Sequence, residues 1–379
     1  MNRERVTVVL TGDLMLNRPI SGGRTASAAL WSLFAGADLV FVNLECPLTA
    51  RVAPADKVVA FRSDPALAAD LREAGVDVAT LANNHMFDQG PDGMFDTIAA
   101  LREAGVAPVG AGASLPEALA PAVLEAGGMK VAFVGVATTL PVGSAAAPDR
   151  PGLAPVRVTT SYVADAAGLD ETPGIAPFVE TRAWPGDVEA AAAAVMAAKR
   201  TADACIVGIH WGVPNGWVAQ FQDPLATYQR PLAAVLVRAG ADVVVGHHPH
   251  VLHGIEVIDG RPVFHSLGNF LFHTLRVGAQ PALRRPDPPY SWRSLRSRVN
   301  LDSAVAVVTL AAGAAGVEVA DVEIVPVLIN DAGDPELAAG DDAARILATL
   351  NDLSAPLGAR IAADGGRGHL RRREKEGQA

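Results

Sequence analysis

The sequence predicts an α/β domain in which helices cover both faces of a sheet. Apolar runs with the length of buried strands alternate with segments that carry helix start and stop signals. Half of the 379 residues are apolar and 19% are charged, as in a globular protein with a sizeable core. We therefore expect one large domain over residues 1–330, and a C-terminal helix and tail over residues 331–379.

The predicted strands are short runs rich in valine, isoleucine and leucine, bounded by glycine or polar residues. In chain order they are Val6–Leu10, Leu39–Val42, Val76–Leu81, Lys130–Val136, Ala204–Ile209, Val243–Val245, Leu301–Leu310 and Val317–Val327. A further short apolar segment lies at residues 106–109. The segments that connect these strands to the predicted helices are short, which is typical of an α/β sheet.

The predicted helices lie between these strands. In the first, Asp64 can cap the amino end, Pro65 lies in the first turn and Gly75 ends the helix. The others are predicted at Asp92–Ala104, Asp187–Arg200, Pro224–Ala239 and Asp341–Leu353. Glycines follow two of these segments directly and act as stop signals.

Three segments depart from the alternation. Residues 141–185 are rich in proline, glycine and alanine and predict long loops or edge elements. Residues 276–299 carry six arginines among several prolines and predict an inserted loop, either a solvated surface or a flap that attracts an anionic substrate. From Gly365 onward we expect a disordered tail.

Composition argues against several classes of function. A net charge of −10 disfavours a nucleic-acid binder or a protein that binds anionic membranes. Cys46 and Cys205 lie too far apart to suggest a zinc ribbon or a disulfide framework. Since no apolar run approaches about 20 residues, we expect a cytoplasmic protein without a membrane anchor.

Five predicted strands lead into residues that can bind a metal ion. These residues are Asp13; Asn43 and Glu45; Asn83, Asn84 and His85; His210; and the cluster from His247 to His250. Any one of them alone is an ordinary turn residue or helix cap. Because ligands collect at the carboxyl ends of strands in α/β sheets, their joint occurrence predicts a site.

The ligand types indicate the chemistry. Carboxylate, amide and imidazole groups together suit Mn²⁺, Fe²⁺ or Zn²⁺. His248 and His250, separated by a turn at Pro249, could face neighbouring ions, and Glu45 could bridge them. Two ions about 3.5–4 Å apart would stabilise a tetrahedral transition state. We therefore predict two divalent ions and hydrolysis, typically of a phosphoester.

His85 is a candidate catalytic acid. It follows Asn84 and could protonate a leaving group instead of binding metal, or it could orient a neighbour. Asp88, three residues later, could hold the ring of His85 or cap the next helix.

Six motifs in order resemble the CapA family, the poly-γ-glutamate capsule biosynthesis proteins, a branch of the calcineurin-like metallophosphatases. They are Thr11–Leu16, Asn43–Thr49, Leu81–His85 with Asp88 and Gly90, Gly208–Gly212, Gly246–His250 and Ser266–Phe270. The resemblance covers about residues 5 to 275. It implies a four-layer α/β/β/α sandwich of the metallophosphatase type.

The resemblance also implies roles for individual residues. Asp13 and His250 would bind one metal, Asn84, His210 and His248 the other, and Glu45 would lie between the two. His85 matches the proton-donating histidine, with Asp88 as its partner. As substrate contacts we predict Asn269, Trp211, Arg62, Arg284 and Arg285.

Three positions depart from the phosphatase pattern. Met15 stands where a histidine ligand is normal, Glu45 replaces an aspartate, and Asn83 replaces a glycine. CapA-like proteins share these departures in kind. The first metal position is therefore one ligand short, which is consistent with weaker binding, a single ion or altered chemistry.

These observations lead to three hypotheses. The first is a metal-dependent hydrolase acting on an acidic small-molecule or peptide-like substrate, through a γ-glutamyl or peptide amide or a phosphoester. The second is a component of polyglutamate synthesis that binds polymer without catalysis. The third is metal-assisted amide-bond formation, which would need a pre-activated donor because the chain has no ATP-binding loop of the Walker type.

Overall fold

Two β-sheets stacked face to face form the centre of the molecule. The computed structural model describes residues 5–20, 27–57, 59–212, 225–273, 297–314 and 316–372. The strands in these ranges are β1 (Arg5–Met15), β2 (Leu39–Leu44), β3 (Val78–Thr80), β4 (Ala107–Val109), β5 (Ala111–Gly112), β6 (Ala122–Ala126), β7 (Met129–Ala137), β8 (Gly152–Leu153), β9 (Val158–Val163), β10 (Phe178–Ala183), β11 (Ala204–His210), β12 (Val243–His247), β13 (Leu252–Ile258), β14 (Arg261–Leu267), β15 (Asn269–Phe272), β16 (Asp302–Gly313), β17 (Gly316–Ile329), β18 (Pro335–Leu337), β19 (Ala359–Asp364) and β20 (Arg367–Arg372).

Helices pack mainly on the outer faces of the two sheets. Within the described ranges they are α1 (Ala28–Gly36), α2 (Leu67–Glu73), α3 (Gly90–Ala104), α4 (Leu115–Ala118), α5 (Ala166–Glu171), α6 (Pro185–Lys199), α7 (Gln229–Arg238), α8 (Arg298–Leu301) and α9 (Gly340–Ser354). None of them is long and apolar enough to cross a membrane.

The two sheets differ in size and share a mixed topology. The larger has the order β19-β20-β17-β16-β1-β2-β3-β4, with β15 also paired to β1 and β18 to β17. The smaller has the order β13-β14-β12-β11-β7-β6. In each sheet the central strands run parallel, from β1 to β4 and from β7 to β14 through β11 and β12.

Three apolar cores define four layers. Between the sheets, the rings of Phe41 and Phe133 stack with centroids 5.7 Å apart. Outside the larger sheet, α1, α2 and α3 bury side chains such as Phe34 and Leu71. Outside the smaller sheet, α6 and α7 bury side chains such as Leu232. The predicted α/β/β/α sandwich is therefore confirmed.

The carboxyl ends of the parallel strands meet at one edge of this sandwich. In register, Asp13 at the end of β1 lies beside Asn43 of β2, and His210 at the end of β11 lies beside His247 of β12. The chain approaches itself closely here, since a Cβ at Gly12 would lie 2.1 Å from the carbonyl oxygen of Gly268. Glycine at this position allows Asp13 N–H to donate to that oxygen at 2.9 Å.

Most predicted elements are present, although several strands were missed. The predicted strands match β1 to β4, β7, β11, β12, β16 and β17, and the predicted helices match α2, α3, α6, α7 and α9. The segment 141–185 contains β8, β9, α5 and β10, so it is less irregular than expected. Most of the predicted loop at 276–299 and Pro224 lie outside the described residues.

The expected disordered tail is wrong for residues 365–372. Gly365 and Gly366 form the turn of the hairpin β19–β20, with φ of 55° and 82°, and β20 pairs with β17 of the larger sheet. A two-residue Gly-Gly loop between strands favours a tight hairpin because both positions need positive φ. Residues 373–379 lie outside the described ranges.

The β19–β20 hairpin predicts a measurable stability contribution. Ile361 is buried against the core between the sheets, whereas its neighbour Arg360 is exposed. Ile361→Ala should lower the free energy of unfolding by about 2 kcal/mol in urea denaturation, since it leaves a cavity. Arg360→Ala, the matched control, should change it by less than about 0.5 kcal/mol. Equal stability of Ile361→Ala and wild type would contradict an ordered C-terminal hairpin.

Candidate metal centre

Asp13 is a fully buried carboxylate at the end of β1. Its Oδ1 accepts from Nδ2 of Asn43 at 2.9 Å, and its two oxygens lie 3.3 and 3.1 Å from the backbone N–H of His248. Burial opposes ionisation, yet interactions with His247 and His250 outweigh it and hold the pKa of Asp13 well below its usual value. The residue is therefore an anion at neutral pH.

Asn83 fixes the orientation of the amide next to Asp13. Its Oδ1 accepts from the backbone N–H groups of His85 and Met86 at 3.2 and 3.1 Å. Its Nδ2 must therefore be the donor to the carbonyl of Leu44 at 2.8 Å and to Oδ1 of Asn43 at 3.1 Å. A glycine here, as in the phosphatase pattern, could make none of these side-chain bonds.

Glu45 lies at the centre of the cluster. It is fully buried, and neither carboxylate oxygen has a hydrogen-bond partner among the described residues. Oε1 lies 3.3 Å from Nε2 of His210 and 3.8 Å from Nε2 of His250. Burial, reinforced by the charge of Asp13, raises the pKa of Glu45 well above its usual value. A bound cation would reverse both penalties, so this residue fits a metal ligand.

Two groups of side chains share Glu45. One joins it to His210 and His248, the other to Asp13 and His250, with the ligand atoms in each group within 4.8 Å of one another. Nε2 of His210 also lies 2.8 Å from Oδ1 of Asn84 and 3.1 Å from Nδ1 of His248. All six predicted metal ligands are therefore brought together, in the two sets that the resemblance implied.

The turn that carries His248 and His250 is conformationally strained. Both residues have positive φ, 99° and 56°, which costs about 1–3 kcal/mol for a residue with a side chain. Burial, and then the charge of His250, lower the pKa of His248 to about 3. Burial also opposes protonation of His250, but the carboxylates of Glu45 and Asp13 outweigh it and raise its pKa to about 9.

Met15 does not supply the missing ligand. It is buried in the outer core of the larger sheet, paired in register with Phe272 of β15. His247 is also buried, between the sheets, with its ring 6.3 Å from that of Phe41 and its Nδ1 3.4 Å from Oδ1 of Asp13. It belongs to neither three-residue group of metal-binding side chains found among the described residues.

His85 forms a buried hydrogen-bonded pair with Asp88. Nδ1 of His85 lies 2.8 Å from Oδ2 of Asp88, and Phe61 N–H donates to that same oxygen at 2.6 Å. Nζ of Lys57 donates to Oδ1 of Asp88 at 2.6 Å and to the carbonyl of Asn84 at 2.7 Å. Burial lowers the pKa of His85, although Asp88 acts in the opposite direction.

Of the five residues predicted to contact substrate, two are buried, one is exposed and two lie outside the described residues. Asn269 is buried, with Oδ1 2.9 Å from Nδ1 of His250 and Nδ2 donating to the carbonyl of Asn300 at 3.1 Å, so it helps to hold His250, and its contact with substrate stays a prediction. Arg62 is exposed and donates to the carbonyl of Ala50 at 3.2 Å. Arg284 and Arg285 lie outside the described residues.

Trp211 packs in the core, and its contact with substrate stays a prediction. Its side chain is fully buried, its Nε1 donates to the carbonyl of His265 at 2.8 Å, and its ring stacks on that of His265. A Cβ at Gly246 would lie 2.2 Å from this Nε1. Trp211 therefore packs directly against the end of β12, which carries the histidine cluster.

Sequence reasoning missed the roles of Asn43, Asn83 and Lys57. The two asparagines follow predicted strands, where the sequence shows them as polar residues. Their hydrogen bonds connect Asp13 through Asn43 and Asn83 to the backbone of the Asn84–His85 turn, and these bonds depend on tertiary contacts. Lys57 lies in a loop and carried no signal.

Comparisons with known proteins agree with the motifs. A family profile described as "Bacterial capsule synthesis protein PGA_cap" matches residues 7–274. "Uncharacterized protein y4sH" of Sinorhizobium fredii is 28% identical, covering 94% of this chain and 90% of that protein. "PGA biosynthesis protein CapA" of Bacillus subtilis is 30% identical, covering 69% of this chain and 62% of that protein.

A solved structure provides a third comparison. The "calcineurin-like phosphoesterase YfkN from Bacillus subtilis" is 14% identical, with a TM-score of 0.43, and the match covers 92% of this chain and 97% of that one.

Asn269 provides a test of how the centre is held together. Asn269→Ala removes one of two oxygens close to Nδ1 of His250, the other being Oδ2 of Asp13 at 3.2 Å, and we expect affinity for Mn²⁺ or Zn²⁺ to fall by about 10- to 100-fold. Asn351, which accepts from the backbone N–H of Ile361 at 3.1 Å, offers a matched control far from the cluster in the chain. Asn351→Ala should lose stability but keep metal affinity in a calorimetric titration. Unchanged affinity in Asn269→Ala would disprove the positioning role.

Proposed function

The chain belongs to the bacterial capsule synthesis protein PGA_cap family, as its motifs predicted, and from that premise we propose that it is a metal-dependent hydrolase. The substrate we propose is acidic and is cleaved at a γ-glutamyl or peptide amide or at a phosphoester. The observation that carries this proposal is Glu45, a buried carboxylate without a hydrogen-bond partner among the described residues, surrounded by three imidazoles and a second carboxylate.

Two divalent cations fit the donor set. Asp13 and His250 would hold one, His210, His248 and Asn84 the other, and Glu45 would contact both. Oxygen and imidazole donors without thiolate favour Mn²⁺, Fe²⁺ or Zn²⁺. When bound, such ions supply Lewis-acid polarisation of a carbonyl or phosphoryl oxygen.

His85 is the proposed proton donor to the leaving group. Nδ1 is occupied by Asp88, so Nε2 is the nitrogen left to meet a substrate. His85 directly follows Asn84, whose Oδ1 lies 2.8 Å from Nε2 of His210 in the ligand cluster. Asp88, held by Lys57 and by Phe61 N–H, keeps the ring oriented.

A second candidate is binding of a polyglutamate chain without bond cleavage. The name of the Bacillus subtilis relative refers to PGA biosynthesis rather than to degradation, which favours this alternative. The two candidates differ in what the His85–Asp88 pair does, since a pure binder has no need of a proton donor.

The proposed location is the cytoplasm, consistent with two buried free cysteines.

Glu45→Gln tests whether the cluster binds metal. The wild type should gain thermal stability and take up divalent metal when titrated with Mn²⁺ or Zn²⁺, and it should hydrolyse a member of a phosphoester and γ-glutamyl amide panel. The variant keeps the shape but lacks the charge, so metal uptake, the thermal shift and turnover should all fall at least tenfold. Glu125→Gln, an exposed carboxylate on β6, is the control. Wild-type turnover that survives both chelation and Glu45→Gln would refute the proposal.

His85→Gln tests the proton donor separately. Turnover of the substrate found in that panel should fall by about 10²- to 10⁴-fold, whereas metal content stays at the wild-type level. Asp88→Asn should give a smaller loss, because it misorients the ring without removing it. If both variants keep wild-type turnover, the catalytic role of His85 is lost. The polyglutamate-binding alternative would instead gain support if the wild type turned over no member of the panel.

A further inference from the structure

A cleft of about 290 Å³ is lined in part by Lys57, whose Nζ donates to Asp88 of the His85–Asp88 pair. One side comes from the larger sheet, through Lys57 and the turn from Phe87 to Pro91 that begins α3. The other side comes from the smaller sheet, through residues 141–151, which follow β7. Because β7 lies next to β11 and Ala137 pairs with His210, this loop begins at the edge that carries the metal ligands.

The walls of the cleft are apolar and stiff. Phe87, Pro91, Pro141 and Pro151 line it, and the fixed φ of proline limits the movement of the backbone around it. Such walls suit methylene groups and extended peptide backbone better than they suit a lone hydrated ion. The volume is also large enough for a chain of several atoms rather than a single oxyanion.

The charged side chains in the lining are all cationic. They are Lys57 and Arg150, and among the described residues no carboxylate lines the cleft. Lys57 is neutralised by Asp88 at 2.6 Å, so it contributes little free charge. The guanidinium of Arg150 donates to the carbonyl of Ala145 at 3.0 Å and, among the described residues, has no carboxylate partner. Arg150 is therefore the group able to pair with a bound anion.

Arg150 is exposed and lies in a turn that backbone hydrogen bonds close. Its backbone N–H and C=O exchange hydrogen bonds with Ala147 at 3.2 and 3.1 Å, which closes a tight turn. Together with the bond to Ala145, this turn fixes where the side chain leaves the backbone. Such preorganisation lowers the entropic cost of binding.

Lys57 connects the cleft to the proposed proton donor. It lines the cleft, and its Nζ contacts the carbonyl of Asn84 and lies 3.4 Å from Nδ1 of His85. One residue of the cleft lining therefore contacts the Asn84–His85 turn directly.

We propose that this cleft is a substrate subsite that binds a carboxylate of an extended, peptide-like chain through Arg150. The inference rests on the proposed function in one respect, namely that the bond acted on lies at the His85 end. Under this proposal Arg150, which lies outside the ligand cluster, selects an acidic chain.

The test uses a γ-linked glutamate tetramer as the probe in isothermal titration calorimetry of the full chain. Arg150→Gln should weaken binding by about tenfold and reduce its dependence on salt, since a charge-assisted hydrogen bond is lost. Arg150→Lys should restore part of the affinity. Arg360→Gln, which removes an equal charge from an exposed position on β19, should bind as the wild type does.

A second probe separates the failure of this proposal from failure of the proposed function. The same tetramer with carboxamides in place of carboxylates should bind weakly to the wild type and equally weakly to Arg150→Gln. Weaker binding of the tetramer by Arg150→Gln than by the wild type supports the subsite even if no bond is cleaved. No tetramer binding by the wild type, or equal affinity in Arg150→Gln and Arg360→Gln, would overturn it whatever the hydrolase assays give.

Discussion

A carboxylate buried without a hydrogen-bond partner among the described residues is the constraint on which this site depends. Removing Glu45 from water is costly, and the surrounding groups do not repay that cost through hydrogen bonds. Folding nevertheless places it between His210 and His250, next to a second buried carboxylate, Asp13. A cation shared by these groups is the simplest physical way to balance two buried negative charges, and the rest of the site supports that balance.

The sandwich architecture makes this concentration of charge possible. Parallel strands of both sheets end at one edge, so residues far apart in the chain meet without a dedicated scaffold. Amides then fix the charged groups: Asn83 orients Asn43, Asn43 donates to Asp13, and Asn269 holds the ring of His250. The strained turn at His248 and His250 is the local cost of directing both rings inward.

Much of this arrangement was predictable because the sequence marks each strand end by an apolar run followed by polar residues. The runs before Asp13, Glu45 and His210 are buried strands, and their common edge follows from parallel topology. The rest depends on contacts between distant residues. Nothing local distinguishes Lys57 from a solvated lysine, and the buried position of Trp211 follows from packing against Gly246 and His265. The β19–β20 hairpin was missed because its Gly-Gly turn resembles a flexible tail, although the same residues favour a hairpin once β17 is available to pair.

We propose that Glu45 contacts two divalent cations, each held by one of the two groups of side chains. Crystals grown with Mn²⁺ and measured at the manganese absorption edge test this proposal. We expect two anomalous peaks about 3.5–4 Å apart, one between Asp13 and His250 and one between His210 and His248, with Glu45 within bonding distance of both. Peaks at other positions only, or none at this cluster, would contradict it.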